Sequence, residues 1–258
     1  MNKISILITT FNRDKLLKEA LNSIRMQTFP NWEAIIVDNG TSTCTRDIVM
    51  QYNDARMTYV KAPKNLGECR GRNLAFAHST GEFICYLDDD DILPKDSLEQ
   101  RLAFFKHHME CGMVYGEYRK FWVDCGRWRD TPVESHALPH YTKHYYDALL
   151  EQIEYDQKET FHLLKRFNFV RGGTPLIKRG TFDAMGLFDE HFLDHGDYEM
   201  WLRISSRYLI RFLNKVVYYY RIHAGSTQIQ KSENGQEKQY RSEGCEQTDG
   251  AARDLAWG

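Results

Sequence analysis

The sequence predicts an α/β protein, a mostly parallel sheet with helices packed on both of its faces. Three observations carry this. Strand-type and helix-type patterns alternate through the first half of the chain. Two strand runs, Ala34-Ile35-Ile36-Val37 and Phe83-Ile84-Cys85-Tyr86-Leu87, are unbroken apolar stretches of buried type. Polar clusters follow three strands at their carboxyl ends: Thr9 to Asn12, Asp38-Asn39 and Asp88 to Asp91. Ligands of such sheets bind at that edge.

Taken in order, residues 4–9 read as the first strand. Residues 15–27 carry Leu17, Ala20, Leu21 and Ile24 at helical spacing, with Asn12 or Asp14 as N-cap. Residues 33–38 form the second strand, 43–52 a helix and 57–62 an extended segment. Residues 70–78 fit a helix stopped by Gly81. Residues 82–87 are the strand that feeds four aspartates. Pro94 opens a helix through Leu98, Leu102 and Phe105. Beyond it, 113–121 and 122–128 form a hairpin or two β-segments. Residues 134–168, rich in His and Tyr, are helical or irregular. Gly172-Gly173-Thr174 precedes a short strand at 175–178. Residues 198–206 form a helix with Met200, Trp201 and Ile204 on its apolar side, and 209–213 and 216–220 return to strand. From Thr227 the composition turns to Gln, Glu, Lys, Ser and Gly, so a mobile tail is expected there.

Composition excludes several classes. With 34 basic against 36 acidic residues, a general nucleic-acid binder is not expected. No apolar run reaches the length of a membrane span, and Met1 to Ser5 enters a strand pattern without an apolar leader. The six cysteines are scattered with no CxxC, which reads as reduced thiols in a cytoplasmic protein. His107, His108 and Cys111 read as the end of an amphipathic helix rather than a zinc site.

The run Asp88-Asp89-Asp90-Asp91 needs a physical explanation. Adjacent carboxylates repel unless a cation lies on them. On the residues alone two readings stay open: a site for Mg²⁺ or Mn²⁺, which take oxygen ligands and phosphates together, or a solvated acidic turn capping the next helix.

Six ordered stretches resemble the family 2 inverting glycosyltransferases, which have the GT-A fold. They are Ile6 to Arg13; Gln27-Thr28-Phe29 with Trp32-Glu33 and Ile36 to Thr41; Asn65-Leu66-Gly67 with Gly71-Arg72-Asn73; Leu87 to Asp91; Gly196 to Arg203; and Tyr220 to Ser226. The resemblance covers residues 4–226. It implies a Rossmann-like sheet with a smaller antiparallel acceptor-side part. Residues 1–120 would hold the donor, 121–226 would form the acceptor-binding and catalytic half of the same domain, and 227–258 the tail. It implies a nucleotide-diphospho-sugar donor, Mn²⁺ or Mg²⁺, and a glycan or lipid-linked glycan acceptor. The usual setting is surface polysaccharide or lipid-linked glycan synthesis, with the enzyme in the cytoplasm or peripherally associated at the inner membrane face.

The resemblance also places residues. Thr9, Phe11, Arg13, Asp38, Asn39, Arg72 and Asp89 would bind the nucleotide sugar, with Phe11 also readable as strand-end packing and Arg72 as a surface ion pair. Asn39 departs from the family's usual Asp-Asp pair, which leaves the base open. Asp88 and Asp90 would be the DxD ligands, joined by His223, while Asp91 would cap the following helix. Asp197 would be the general base, with Glu199 as the rival base and a plain N-cap as the rival role. Two other classes compete: a sugar nucleotidyltransferase and a non-catalytic nucleotide-sugar-binding module. The first wants a Gly-rich loop after strand one, and Thr9 to Arg13 holds no glycine. The second has no use for a base.

Overall fold

A computed structural model describes residues 2–124, 127–131, 157–166, 168–192 and 195–223. In its first part β-strands and helices alternate: β1 (Ile4–Thr10), α1 (Asp14–Arg25), β2 (Trp32–Asp38), α2 (Thr45–Met50), β3 (Met57–Lys61), α3 (Gly67–Ala77), β4 (Phe83–Tyr86) and α4 (Ser97–His107). Then come β5 (Cys111–Asp124), β6 (Arg127–Thr131), α5 (Gln157–Arg166), β7 (Leu176–Lys178), α6 (Arg179–Met185), α7 (Gly196–Arg207) and β8 (Leu209–Ile222).

One eight-stranded mixed sheet runs in the order β3-β2-β1-β4-β7-β5-β6, with β8 paired to β5. The β3-β2-β1-β4 part is parallel, β7 pairs antiparallel with β4, and β5 pairs antiparallel with β7. β1 is central, so Ile4, Ile6, Leu7 and Ile8 are all buried. Chain connections leave β1 toward β2 on one side and return to β4 on the other. The ends of β1 and β4 therefore lie side by side at the switch point of the parallel part.

Apolar periodicity explains the helices. Leu17, Ala20, Leu21 and Ile24 line the buried side of α1, whose Asp14 and Arg25 also suit the helix dipole. Met200, Trp201 and Ile204 of α7 join Leu7, Ile84 and Tyr86 in one core cluster. Tyr86 and Phe188 meet edge to face at 5.3 Å, and Trp201 lies 6.4 Å from Tyr86.

Several boundaries differ from the sequence expectation, each for a tertiary reason. The N-cap of α1 is Arg13, and neither neighbour caps it. Asn12, at φ 55°, instead accepts the N–H groups of Thr41 and Ser42, and Asp14 accepts the hydroxyls of Ser42 and Thr45. Both side chains thus fasten the loop after β2. α3 closes at His78, and Gly81 does not stop it: its N–H is bonded to Ser5 Oγ at 2.8 Å. α4 starts at Ser97 with Asp96 as N-cap, later than Pro94, whose carbonyl accepts from Gln27 Nε2 at 2.7 Å. β5 runs unbroken to Asp124 before the hairpin with β6, and β8 is one strand through Lys215 because its pairing with β5 outweighs the local polar residues. α6 was not legible in the sequence. Within 134–168 the helix α5 is seen, and the remainder up to 156 lies outside the described residues, as do Ala224 to Ser226 and the tail.

Compact units divide the chain at Met1–Arg221 and Ile222–Gly258, and the described part of the second is Ile222 and His223. Among the described residues no helix is long and apolar enough to cross a membrane. Cys69, Cys85 and Cys111 are buried free thiols, and Cys44 is exposed.

Two buried features fix the turn before β7. Arg101 follows the apolar stripe Leu98, Leu102 and Phe105 into the core, and its Nη1 donates to the carbonyls of Thr174 and Pro175 at 3.2 and 3.0 Å. Gly173 lies flat on the ring of Tyr218, where an added Cβ would come within 2.0 Å of Cε2. Gly173→Ala is expected to destabilise the protein by about 1–3 kcal/mol, as overpacking of a filled core does. Urea unfolding reads this directly, and an unchanged midpoint would mean that Tyr218 can step aside.

Candidate active site

Asp88 to Asp91 leave β4 as a turn, with Asp91 N–H donating to Asp88 O at 3.1 Å. The four side chains then part. Asp88 is the most open, its side chain 37 % exposed, and its Oδ1 lies 3.1 Å from Arg72 Nη2. Asp89 is buried, accepting Phe11 N–H on Oδ2 and Arg13 Nη1 on Oδ1 at 3.0 Å. Asp90 takes the same Arg13 Nη1 at 2.6 Å. Asp91 is fully buried, and its Oδ1 accepts the Arg221 N–H at 2.7 Å. Asp91 therefore anchors β8 and does not cap α4, whose first residue is Ser97.

This packing tunes the carboxyls. Burial, then the neighbouring charge of Asp90, push Asp89 up to about 6 despite Arg13. Burial and its acidic neighbours hold Asp91 well above the usual carboxylate range.

Arg72, on α3, is buried over the rings of Tyr86 and Phe188, at 5.1 and 5.4 Å. It is not a surface ion pair. Besides Asp88 it meets Glu68 Oε1 at 2.5 Å. Desolvation works against its charge, but Glu68, Asp88 and Asp197 raise its pKa. Glu68 is drawn down by Arg72, yet desolvation, Asp88 and Asp197 leave its carboxyl above the normal value. One buried guanidinium thus joins α3 to the β4 turn.

Asp197 is in the first turn of α7, two residues beyond the N-cap His195, so it is not the capping residue. Its Oδ1 accepts the Tyr198 N–H at 2.8 Å, and a Cβ placed on Gly172 would stand 2.9 Å from its Oδ2. Glu199 is held by Arg203, with Nη2 to Oε2 at 2.7 Å, and Arg203 is itself anchored on the Leu187 carbonyl. Of the two candidate bases, Glu199 is already matched by a cation.

The other sequence-selected residues divide. Thr9 is half-buried at the end of β1, Phe11 beside it is exposed, and Arg13 bridges to the acidic turn. Asp38 is fully buried; Gly40 N–H occupies one oxygen, and Tyr59 Oη and Lys61 Nζ the other, all at 2.8 Å. Asn39 spans to α3, donating to Gly67 O at 3.1 Å and accepting Leu66 N–H. Both side chains hold loops together. His223 directly follows β8, at the start of the second unit.

Sequence reading passed over three residues here. Tyr218 Oη accepts the Asp88 N–H at 3.2 Å, Arg221 Nε donates to Asp90 O at 2.7 Å, and Arg171 stacks on Tyr220. Tyr218 sits in a strand-type run with no spacing signal, Arg221 in the last of the six family-like stretches without a role of its own, and Arg171 in an irregular segment. Arg101 did leave a signal, since it falls on the Leu98-Leu102-Phe105 face.

A hard divalent cation fits this donor set. Such ions use one or two protein carboxylates and complete their shell with phosphate oxygens and water, and Asp88 and Asp90 supply two carboxylates from one turn. Among the described residues no three His, Cys, Asp or Glu side chains are placed to hold a metal without such help.

Known proteins resemble this chain in sequence and in fold. The chain is 26% identical over 233 residues to the Escherichia coli UDP-Glc:alpha-D-GlcNAc-diphosphoundecaprenol beta-1,3-glucosyltransferase WfaP, covering 90% of this chain and 82% of WfaP. It is 29% identical over 115 residues to the Escherichia coli enzyme WfgD, of the same named activity, covering 45% of each. The chain spans about half the length of some curated relatives it matches. In fold it is similar to S. aureus TarS 1-349 in complex with UDP-GlcNAc, with TM-score 0.68 and 21% identity, covering 87% of this chain and 60% of that one. The fold is GT-A, as the motifs implied. The family model for glycosyl transferase family 2 matches residues 5–172, well over half of the molecule, and the chain belongs to that family.

Proposed function

We propose that the protein is an inverting glycosyltransferase that moves a sugar from a nucleotide diphosphate sugar to a hydroxyl of a glycan or lipid-linked glycan. The observation that carries this is the turn of four aspartates at the end of β4, where the buried Arg72 lies 3.1 Å from Asp88, together with Asp197 in the first turn of α7. A turn that can take a cation and a carboxylate that can take a proton are the two groups such a transfer needs. The names of WfaP and WfgD, which give diphosphoundecaprenol-linked GlcNAc as acceptor, support a lipid-linked acceptor here.

In this reading residues 1–120 hold the donor and 121–226 complete the acceptor side. Thr9, Phe11 and Arg13 line the nucleotide pocket, while Asp38 and Asn39 shape its floor through the loops they fasten. Asp88 and Asp90, with His223, would hold Mn²⁺ or Mg²⁺, which supplies charge neutralisation for the leaving diphosphate. Asp197 takes the proton of the acceptor hydroxyl as its oxygen bonds to the anomeric carbon. The bond from that carbon to the donor phosphate oxygen breaks on the opposite face, which inverts the centre. Arg72 holds Asp88 in place and keeps positive charge beside the departing phosphates.

Melting curves with UDP, GDP and their sugars, each with and without Mn²⁺, test the reading. A nucleoside diphosphate that binds the native state raises the melting temperature by mass action. Release of nucleoside diphosphate in turnover separates a transferase from a nucleotidyltransferase, which releases pyrophosphate, and from a binder, which releases neither. No shift with any nucleotide would sink the proposal.

A further inference from the structure

We infer that Arg171 is a phosphate-binding residue, placed to hold a substrate phosphate between the Asp88–Asp91 turn and Asp197. The inference rests on the transferase reading and adds a residue to its site.

Arg171 opens the turn that leads into β7. Its guanidinium carbon lies 3.9 Å from the centroid of the Tyr220 ring and 5.8 Å from that of Tyr118. The turn places it at a junction. Gly172, next in the chain, faces Asp197, and Gly173 lies on the Tyr218 ring, whose hydroxyl accepts the Asp88 N–H. On the other side, Tyr220 adjoins Arg221, which is bonded to Asp90 and Asp91. Arg171 thus stands where the acidic turn and the proposed base come together.

The neighbouring arginines are matched by carboxylates. Arg13 pairs with Asp89 and Asp90, Arg72 with Glu68 and Asp88, and Arg221 with Glu19. Arg171 forms no salt bridge among the described residues. Desolvation opposes its charge, but Tyr220, Tyr118, Asp91 and Asp88 keep it cationic. Its contact with Tyr220 includes a side-chain hydrogen bond, and the guanidinium carries further N–H donors, enough to offer two to the oxygens of one phosphate. A diphosphate arriving beside four aspartates needs cations that those aspartates have not already taken. Arg171 answers that need.

The phosphate could belong to the donor's diphosphate or to a phosphate on the acceptor. Calorimetry on the full chain with Mn²⁺ distinguishes them, comparing the parent with Arg171→Gln and Arg171→Lys. The probes are UDP and uridine, or GDP and guanosine where the parent prefers guanine. If the donor phosphate is held, Arg171→Gln weakens the diphosphate by about 10–100-fold, the worth of a charge-assisted hydrogen bond, and leaves the nucleoside unchanged. Arg171→Lys recovers part of the loss. If the acceptor phosphate is held, diphosphate affinity stays constant while KM rises for a polyprenyl-diphosphate-linked glycan and not for the same glycan without diphosphate. Equal weakening of diphosphate and nucleoside, together with a lower melting temperature, would mean a structural role and overturn the inference. So would indifference in every measurement. A parent chain that binds no nucleoside diphosphate brings down the transferase reading itself, whereas a binding parent with an indifferent Arg171→Gln brings down only this inference.

Discussion

Asp197→Asn is expected to lower turnover by about 10²–10⁴-fold, the usual worth of a general base, with donor affinity within a few-fold of the parent. The amide keeps the shape of the carboxylate. Its oxygen can still accept the Tyr198 N–H that holds Oδ1 at 2.8 Å, so the first turn of α7 stays in place. What is lost is the capacity to take a proton. Asp197 is not the N-cap, so its replacement does not unfasten the helix. The structure also weakens the rival: Glu199 is held by Arg203 and could serve as a base only by giving up that pair. Calorimetric affinity for the nucleoside diphosphate and diphosphate release with acceptor form the necessary pair of measurements. Turnover near the parent level would move the base role to another group. Collapse of donor affinity along with turnover would make Asp197 a support of the pocket, acting through Arg72.

Asp90→Ala is expected to remove the gain in nucleoside diphosphate affinity that Mn²⁺ confers, and to cut turnover by about 10²-fold or more, since a bound divalent ion contributes several kcal/mol of charge stabilisation. The change has a second consequence. Arg13 Nη1 loses the shorter of its two carboxylate contacts, at 2.6 Å against 3.0 Å to Asp89. Arg13 keeps its contact with Asp89 Oδ1. Asp91→Asn separates this from general damage to the turn, because Asp91 is fully buried and its Oδ1 accepts the Arg221 N–H. The amide oxygen can still accept the Arg221 N–H, so this variant is expected to keep its metal response. Full activity of the parent chain in excess chelator would defeat the metal assignment whatever the variants do.

Much of the donor side was readable from local pattern. Buried strands such as Ala34 to Val37 announce themselves because both faces are covered, and α1 and α7 announce themselves by apolar spacing. The acidic run was conspicuous because like charges are not placed together without cause. The shares of the four aspartates were not readable. Equal side chains in sequence become an open Asp88, a clamped Asp89 and Asp90, and a buried Asp91 only when β1, α3 and β8 bring Phe11, Arg13, Arg72 and Arg221 to them.

The sequence by itself determined the α/β alternation, the family and the strand edge where chemistry collects, because periodicity, turn residues and short ordered motifs are local properties of the chain. Tertiary structure decided the partners. It tied Asp38 and Asn39 to loops, put Arg72 in the core beside Asp88, held Glu199 with Arg203, and brought Arg171 from an irregular segment to Tyr220. A charged side chain's role depends on which opposite charges and aromatic faces lie within a few ångströms, and those come from strands and helices far apart in the chain.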